Sequence, residues 1–205
     1  MLHRRQVLIL AAAGLALTGL PVARNAWAQA ANKASTFVRS TGDKLIGVVN
    51  GPGSTQSKRQ ELTQIIDSAV DVDGIARFCL GRFWRTATPD QQKRYTTLFR
   101  QVLVTNIGGK LGEYQGVRFT MGRSRSQDEE EVVSTVVDRP NNPPTNVDWV
   151  ISDPASNPKI IDVIAEGTSL RLTQRQDYAA YLARNNGNVD ALITAMQRQV
   201  SGGNG

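Results

Sequence analysis

Between residues 34 and 200 the apolar positions change period twice. Ala34, Phe37, Val38, Leu45, Val48 and Val49 recur every three to four residues, the spacing that gathers side chains on one face of a helix. Gly51-Pro52-Gly53 ends that run, because neither residue type continues a helix well. Leu62, Ile65, Ile66 and Ala69 predict a second, shorter helix. Val72, Ile75, Ala76, Cys79, Leu80 and Phe83 then fall at i, i+3, i+4, i+7, i+8 and i+11, an amphipathic stripe with Asp71 placed to cap it. Thr88-Pro89-Asp90-Gln91 is a stronger start signal. Threonine caps, proline takes the first helical position, and glutamine closes a capping box. Tyr95, Leu98, Phe99, Val102, Leu103 and Ile107 carry that helix to about Leu111, with Gly108-Gly109 weakening its last turns.

The period then drops to two. Val117, Phe119 and Met121 alternate with Arg118 and Thr120, as in a half-buried strand. Asp128 to Glu131 reads as a solvated acidic turn, and Val132 to Val137 as a second strand. After a turn at Pro140 to Pro144, Val147, Trp149 and Ile151 alternate in a third. Asp153-Pro154 and Asn157-Pro158 bound another turn, and Ile160, Ile161, Val163 and Ile164 form a fourth strand. From Gln174 the chain is helical again through Tyr178, Tyr181 and Leu182. A final helix holds Val189, Leu192, Ile193, Met196 and Val200, before a tail at 201–205. Four consecutive strands with short turns predict an antiparallel meander. Segregated helices and strands make the fold α+β: a twisted antiparallel sheet of about four strands, wrapped by about six helices. A curved sheet covered on one face is expected to enclose an apolar cleft.

The first 28 residues stand apart. His3-Arg4-Arg5 is a charged start, Val7 to Leu20 is mostly apolar and small, and Ala26-Trp27-Ala28 is an A-x-A cleavage signal. Fourteen residues fall short of the ~20 that span a bilayer. Arg4-Arg5-Gln6-Val7-Leu8 also fits a twin-arginine export signal. The expected organisation is an export signal over 1–28, one domain over 29–200 and a flexible tail over 201–205. Three of the 24 basic residues lie in the leader and none of the 18 acidic ones does, so cleavage lowers the net charge from +6 to +3. A balance that close to neutral argues against a nucleic-acid partner, which calls for a clustered basic face.

Reactive chemistry is scarce. The only histidine, His3, lies in the leader, and the only cysteine, Cys79, lies on the apolar stripe of a helix. A disulfide framework, a multi-cysteine metal site and histidine catalysis are thereby removed, and no metal or cofactor is expected. Gly51-Pro52-Gly53-Ser54 follows a helix rather than a strand, the wrong context for a phosphate cradle. Asp71-Val72-Asp73-Gly74 lacks the later ligands of a calcium loop. Asp162 and Glu166 are the remaining candidates for proton transfer, against the plainer reading of a strand-end hydrogen bond and a turn. Elimination leaves a binding or carrier role, with a small pocket enzyme and a structural envelope adaptor as alternatives.

Two blocks carry a family resemblance. Leu80-Gly81-Arg82-Phe83-Trp84-Arg85-Thr86-Ala87-Thr88-Pro89-Asp90-Gln91, with Phe99-Arg100 and Tyr114-x-Gly116 after it, resembles one segment of the MlaC, or toluene-tolerance auxiliary, family. Asp162-Val163-Ile164-Ala165-Glu166-Gly167-Thr168-Ser169-Leu170 is similar to its second motif. The chain departs from the family at Pro158-Lys159-Ile160-Ile161-Asp162, where two aromatics of a W-x-x-Y-D pattern are missing. The resemblance implies a periplasmic phospholipid carrier. It would exchange lipid with an inner-membrane ABC transporter complex and an outer-membrane lipoprotein complex, and would act without a cofactor, most simply as a monomer. A hopanoid ligand is the alternative within the same class. For such a carrier the expected lipid-binding residues are Val117, Phe119, Met121, Val147, Trp149, Ile151, Ile161 and Val163 on the sheet. Ile75, Phe99, Leu103 and Ile107 are their expected partners on helices. Arg82 and Arg85 are candidates for a mouth or docking face.

Overall fold

The computed structural model describes residues 20–202, with side chains from residue 29 onward. Most of the expected leader, including its charged start, and the last three residues of the expected tail lie outside the described residues. The chain opens with α1 (Leu20–Asn50), whose backbone runs through the expected cleavage position. It continues with α2 (Thr55–Ala69), α3 (Val72–Leu80), a 3-10 turn (Gly81–Arg85), α4 (Pro89–Gly109) and a second 3-10 turn (Leu111–Tyr114). Strands β1 (Arg118–Gln127), β2 (Glu130–Asp138), β3 (Thr145–Ser152), β4 (Lys159–Ala165) and β5 (Thr168–Ser169) follow, then α5 (Leu170–Arg184) and α6 (Val189–Gly202). The sheet is a meander in chain order with every neighbouring pair antiparallel. The α+β class therefore stands, with six helices and five strands among the described residues. None of these helices is long and apolar enough to cross a membrane.

The start signals behave as their chemistry dictates. Thr88 accepts from the Gln91 amide at 3.2 Å while the Thr88 amide donates to Gln91 Oε1 at 2.9 Å, which completes the capping box. Asp71 caps α3 by accepting from the Gly74 amide at 3.0 Å. Other boundaries move. The stripe from Val72 to Phe83 is not one helix: α3 stops at Leu80, and Gly81 takes φ 60°, where a Cβ is disfavoured. Helix α4 ends at Gly109 rather than Leu111. Helix α5 starts at Leu170, four residues before the expected position, because the Ser169 hydroxyl caps it by accepting from the Leu172 amide at 3.1 Å. Helix α6 runs to Gly202, two residues into the segment read as tail.

The largest correction on the sheet concerns the acidic turn. Only Asp128 and Glu129 form it, with Asp128 at φ 54°. Glu131 belongs to β2 and is 1% exposed, its carboxylate accepting from the hydroxyls of Ser124 and, at 2.7 Å, Ser126. A charge count along the sequence places such a residue in water. Two serine donors on the neighbouring strand make its burial tolerable.

Two main apolar cores result among the described residues, with a third, small cluster of Val132, Val150 and Ile161 on the other face of the sheet. The larger lies among α2 to α6 around Leu62, Ala76, Leu80, Tyr95, Leu182, Ile193 and Met196. Inside it, Tyr95, Phe99 and Tyr178 meet at ring-centroid distances of 6.0 to 6.4 Å. The smaller joins α1 to one face of the sheet through Ala34, Val38, Ala69, Val133, Ile151 and Ile160. Val70 packs against both. An isolated parallel bridge between Val70 and Ile160 ties the seam, where the Asp71 amide donates to the Ile160 carbonyl at 3.0 Å.

Candidate functional site

Strand alternation decides which candidates share a face. Phe119 pairs with Val137, Met121 with Thr135, Thr135 with Val147, Trp149 with Val133 and Val163, and Ile151 with Ile160. Phe119, Met121, Val147, Trp149, Ile151 and Val163 therefore lie on one face of the sheet. Met121, Trp149 and Val163 are half-buried there, packed with Phe37 against the buried set from α1 and the sheet. Trp149 satisfies its one polar group within the sheet, donating from Nε1 to Thr135 Oγ1 at 2.9 Å. Thr135 in turn donates to the Val147 carbonyl at 3.1 Å. The face is apolar except for Thr135, whose hydroxyl is satisfied by those two bonds, and for one end, where Glu131 and its two serines sit.

Ile161 does not belong to this face. The register of β3 with β4 shifts at this point, with Val150 opposite Asp162 and Ile151 opposite Ile160. That irregularity sends Ile161 to the other side, with Val132, Val150 and Ile164. Val117 precedes β1 and is buried, its carbonyl accepting from Asn50 Nδ2 at 3.2 Å. The helical candidates lie elsewhere too. Ile75, Phe99 and Leu103 belong to the larger core between helices. Ile107 is 39% exposed on α4.

Several contributors to the sheet face were not singled out from sequence. Val133 and Ile160 supply buried surface from β2 and β4, and Ala34, Phe37 and Val38 supply the α1 side. Gly42 is the most informative of them. A Cβ built there would come within 2.5 Å of Phe119 Cζ, so the ring of Phe119 lies directly on the α1 backbone. A glycine in the middle of an otherwise regular amphipathic helix is the signal that marks such a close approach.

Neither carboxylate proposed for proton transfer is idle. Asp162, 5% exposed, accepts from the Ser169 hydroxyl at 2.5 Å, the Arg171 amide at 3.1 Å and the Val163 amide at 2.8 Å. Arg171 Nε lies 3.5 Å from its second oxygen. Glu166 accepts from the Asn146 amide at 2.5 Å. Glu166 and Gly167, at φ 48° and 77°, form the two-residue turn between β4 and β5. The second motif thus fastens β4, β5 and the start of α5 into one corner. Cys79 is buried and its thiol is pushed up to about 12, mainly by desolvation, with Arg175 opposing. Burial also raises the Tyr95 and Tyr178 phenols.

Two grooves open elsewhere. One of about 670 Å³ lies among α2, α3, α4 and the β3–β4 turn, lined by Asp67, Asp71, Asp73, Arg100 and Lys159 among others. One of about 390 Å³ lies between α5 and α6 beside Tyr178, Tyr181 and Met196. None of the twelve candidates lines either groove. Among the described residues no group of acids, cysteine and histidine has the arrangement to hold a metal ion.

Comparison with known proteins agrees with this architecture. A toluene tolerance protein of Pseudomonas putida, ttg2D, is 25% identical over 142 residues, which is 68% of this chain and 66% of the relative's length, just under two thirds. A phospholipid-binding protein from Ralstonia solanacearum, solved in complex with a phospholipid, superimposes with a TM-score of 0.72 at 21% identity. The match covers 84% of this chain and 99% of that one, so the two share a fold. The model of the MlaC protein family matches residues 39–198, most of the chain, and the chain therefore belongs to the MlaC family.

Proposed function

We propose that this protein is a lipid carrier that takes phospholipid acyl chains against the apolar sheet face under α1. The observation that carries the reading is the convergence of Met121, Val133, Trp149, Ile151 and Val163, from four different strands, on that one face. Family membership supports it, as does a fold shared with a protein solved with a phospholipid.

Physical chemistry supplies the need. Each methylene of an acyl chain costs about 0.8 kcal/mol in water, so one 16-carbon chain costs roughly 12 kcal/mol. Free passage of phospholipid through an aqueous compartment is correspondingly rare. A carrier provides a dry surface for the tails and leaves the head group near water. Affinity then tracks apolar area more than head-group chemistry. Because the face is packed against α1, tails enter by parting α1 from the sheet, and the α1 side chains give way to methylenes of similar polarity. In the envelope, we infer that the mature chain works in the periplasm as a monomer. There it would exchange lipid with an inner-membrane ABC transporter complex and an outer-membrane lipoprotein complex.

Native mass spectrometry of the mature chain purified from an envelope extract, followed by lipid extraction, tests the reading. A bound diacyl phospholipid is the expected result, and a hopanoid would redirect the ligand within the same class. A ligand-free mass, with failure to take up labelled phospholipid from vesicles, would overturn it in favour of an adaptor or an enzyme.

A further inference from the structure

The arginines around α3 and the start of α5 are distributed unlike the rest of the charge. Gly74 to Ala87 contains Arg77, Arg82 and Arg85 and no acid, and Gly167 to Gln176 contains Arg171 and Arg175 and no acid. The two segments meet in space at Phe78. The guanidiniums of Arg171 and Arg175 lie 4.8 and 4.7 Å from the centroid of its ring. Arg175 also lies beside Gly81, where an added Cβ would meet its Nη2 at 3.4 Å. On the α3 side, Arg77 lies 5.9 Å from the Trp84 ring and Arg82 4.9 Å from that of Phe83. Four guanidiniums thus lie over aromatic rings at 4.7 to 5.9 Å, within cation–π range, and those of Arg77, Arg82 and Arg175 belong to exposed residues that keep N–H donors toward solvent. The acid in contact with this group is Asp162, which is buried and faces Arg171.

The same surface carries apolar side chains out of place for a solvated helix end. Leu170 and Leu172, in the first turn of α5 on either side of Arg171, are 52% and 48% exposed. Neither groove described above includes any of these residues. Arginines that form no ion pair with an exposed acid among the described residues, set beside two protruding leucines, match an anionic lipid surface. Phosphodiesters accept from the guanidinium edges, and leucines gain by reaching the acyl boundary beneath the head groups. An acidic protein surface would answer the arginines but leave a helix tip with two projecting leucines less well matched than a fluid apolar layer does.

We propose that the face formed by α3, the 3-10 turn after it and the first turn of α5 docks the protein transiently on anionic phospholipid membranes. The interaction is local, because the mature chain carries only +3 overall. Each arginine at an anionic surface contributes about 1 kcal/mol, so removal of two weakens association roughly ten- to thirty-fold.

Co-sedimentation of the mature chain with sucrose-loaded vesicles tests this. Vesicles of phosphatidylglycerol and phosphatidylcholine are compared with phosphatidylcholine alone, at low and high salt. The expected result is binding to the anionic vesicles that salt abolishes. The Arg82→Gln/Arg85→Gln pair should lose that binding by about the factor above, and Arg82→Lys/Arg85→Lys should largely retain it. Leu170→Ser/Leu172→Ser should weaken binding yet keep its salt dependence. An Arg123→Gln/Arg198→Gln pair removes the same charge from β1 and α6 and should bind as the parent does. Urea midpoints matching the parent exclude unfolding as the cause. Equal sedimentation on both vesicle types, an equal loss in the Arg123/Arg198 pair, or no binding to anionic vesicles would overturn the proposal. The last outcome would assign the face to an acidic protein partner instead. Lipid uptake into the protein is read separately on the same samples, so failure to dock and failure to carry lipid are distinguishable.

Discussion

Asp162 shows how one side chain can hold a corner. Its carboxylate accepts from Ser169, from two backbone amides and from the neighbourhood of Arg171 while almost fully buried. Asp162→Asn removes the charge that strengthens those bonds and leaves Arg171 without its counter-ion. Breaking a buried pair from one side costs about 3–5 kcal/mol, and the partial exposure of the Arg171 side chain, 26%, brings the expectation to about 2–3 kcal/mol. Urea denaturation of the variant measures it. Gly42 offers a cleaner case. Gly42→Ala pushes a methyl into the Phe119 ring and is expected to destabilise by about 1–3 kcal/mol, although alanine favours helix. Adding Phe119→Leu should return part of that loss, a coupling that a double-mutant cycle resolves. Cys79 predicts a pH effect. Its folded-state value is raised from an ordinary 9.0 to about 12. The folded state therefore keeps the thiol proton where the unfolded state releases it. Stability from this group is complete below pH ~9 and is lost as pH rises from there toward ~12. The raised Tyr95 and Tyr178 phenols add to the loss in the same direction. Denaturation midpoints should fall across that window, and Cys79→Ala should flatten the first part of the fall. The Cys79 position was legible as core because it sits on the apolar stripe. Asp162 was legible only as one of two readings, since sequence does not say which donors face a carboxylate.

Among the elements, the helices with chemical start signals were the most legible. Thr88, Pro89 and Gln91 act within one turn of backbone, so their effect needs no tertiary partner. Thr88→Ala is expected to cost about 1 kcal/mol, read from thermal or urea unfolding. The start of α5 was illegible for the opposite reason. Its N-cap, Ser169, also donates to Asp162, seven residues back and on another strand, and Leu170 and Leu172 break the apolar period by facing solvent. The far half of β1 was missed likewise. Gly122 to Gln127 contains no apolar residue to alternate, yet it is held in the sheet by pairing with β2 and by the serine bonds to Glu131. At Ile161 the alternation itself misled, because a shift in register along β3 and β4 moves a side chain to the opposite face without leaving a mark in the apolar pattern.

Across the whole molecule, the two main cores separate two sets of candidate residues. Phe99 and Leu103 serve the helical core, whereas Trp149 and Val163 serve the face under α1, with Val70 at the seam. If tails enter by parting α1 from the sheet, a tether between α1 and β1 blocks them. Gly42→Cys with Phe119→Cys, bridged by a short bis-maleimide, should abolish uptake of labelled phospholipid from vesicles. The same protein without the bridge should retain uptake. The buried Cys79 thiol, pushed up to about 12, stays out of the reaction. Uptake that survives the bridge would move the tails to another site.

The sequence by itself determined what is encoded over short spans. Period gave the class and order of helices and strands, caps gave where several helices start, and a single cysteine ruled out an internal disulfide framework and a multi-cysteine metal site. Two motif blocks were enough to place the chain in the MlaC family, which the match over residues 39–198 establishes. Tertiary structure decided what depends on residues far apart in the chain. It put Gly42 under Phe119, buried Glu131, turned Ile161 away from its neighbours and set two arginines of α5 over Phe78 of α3. Periodicity assigns a residue to a face of its own element. Which face meets which is set by packing across loops and by irregularities in strand pairing, and no local pattern carries that information.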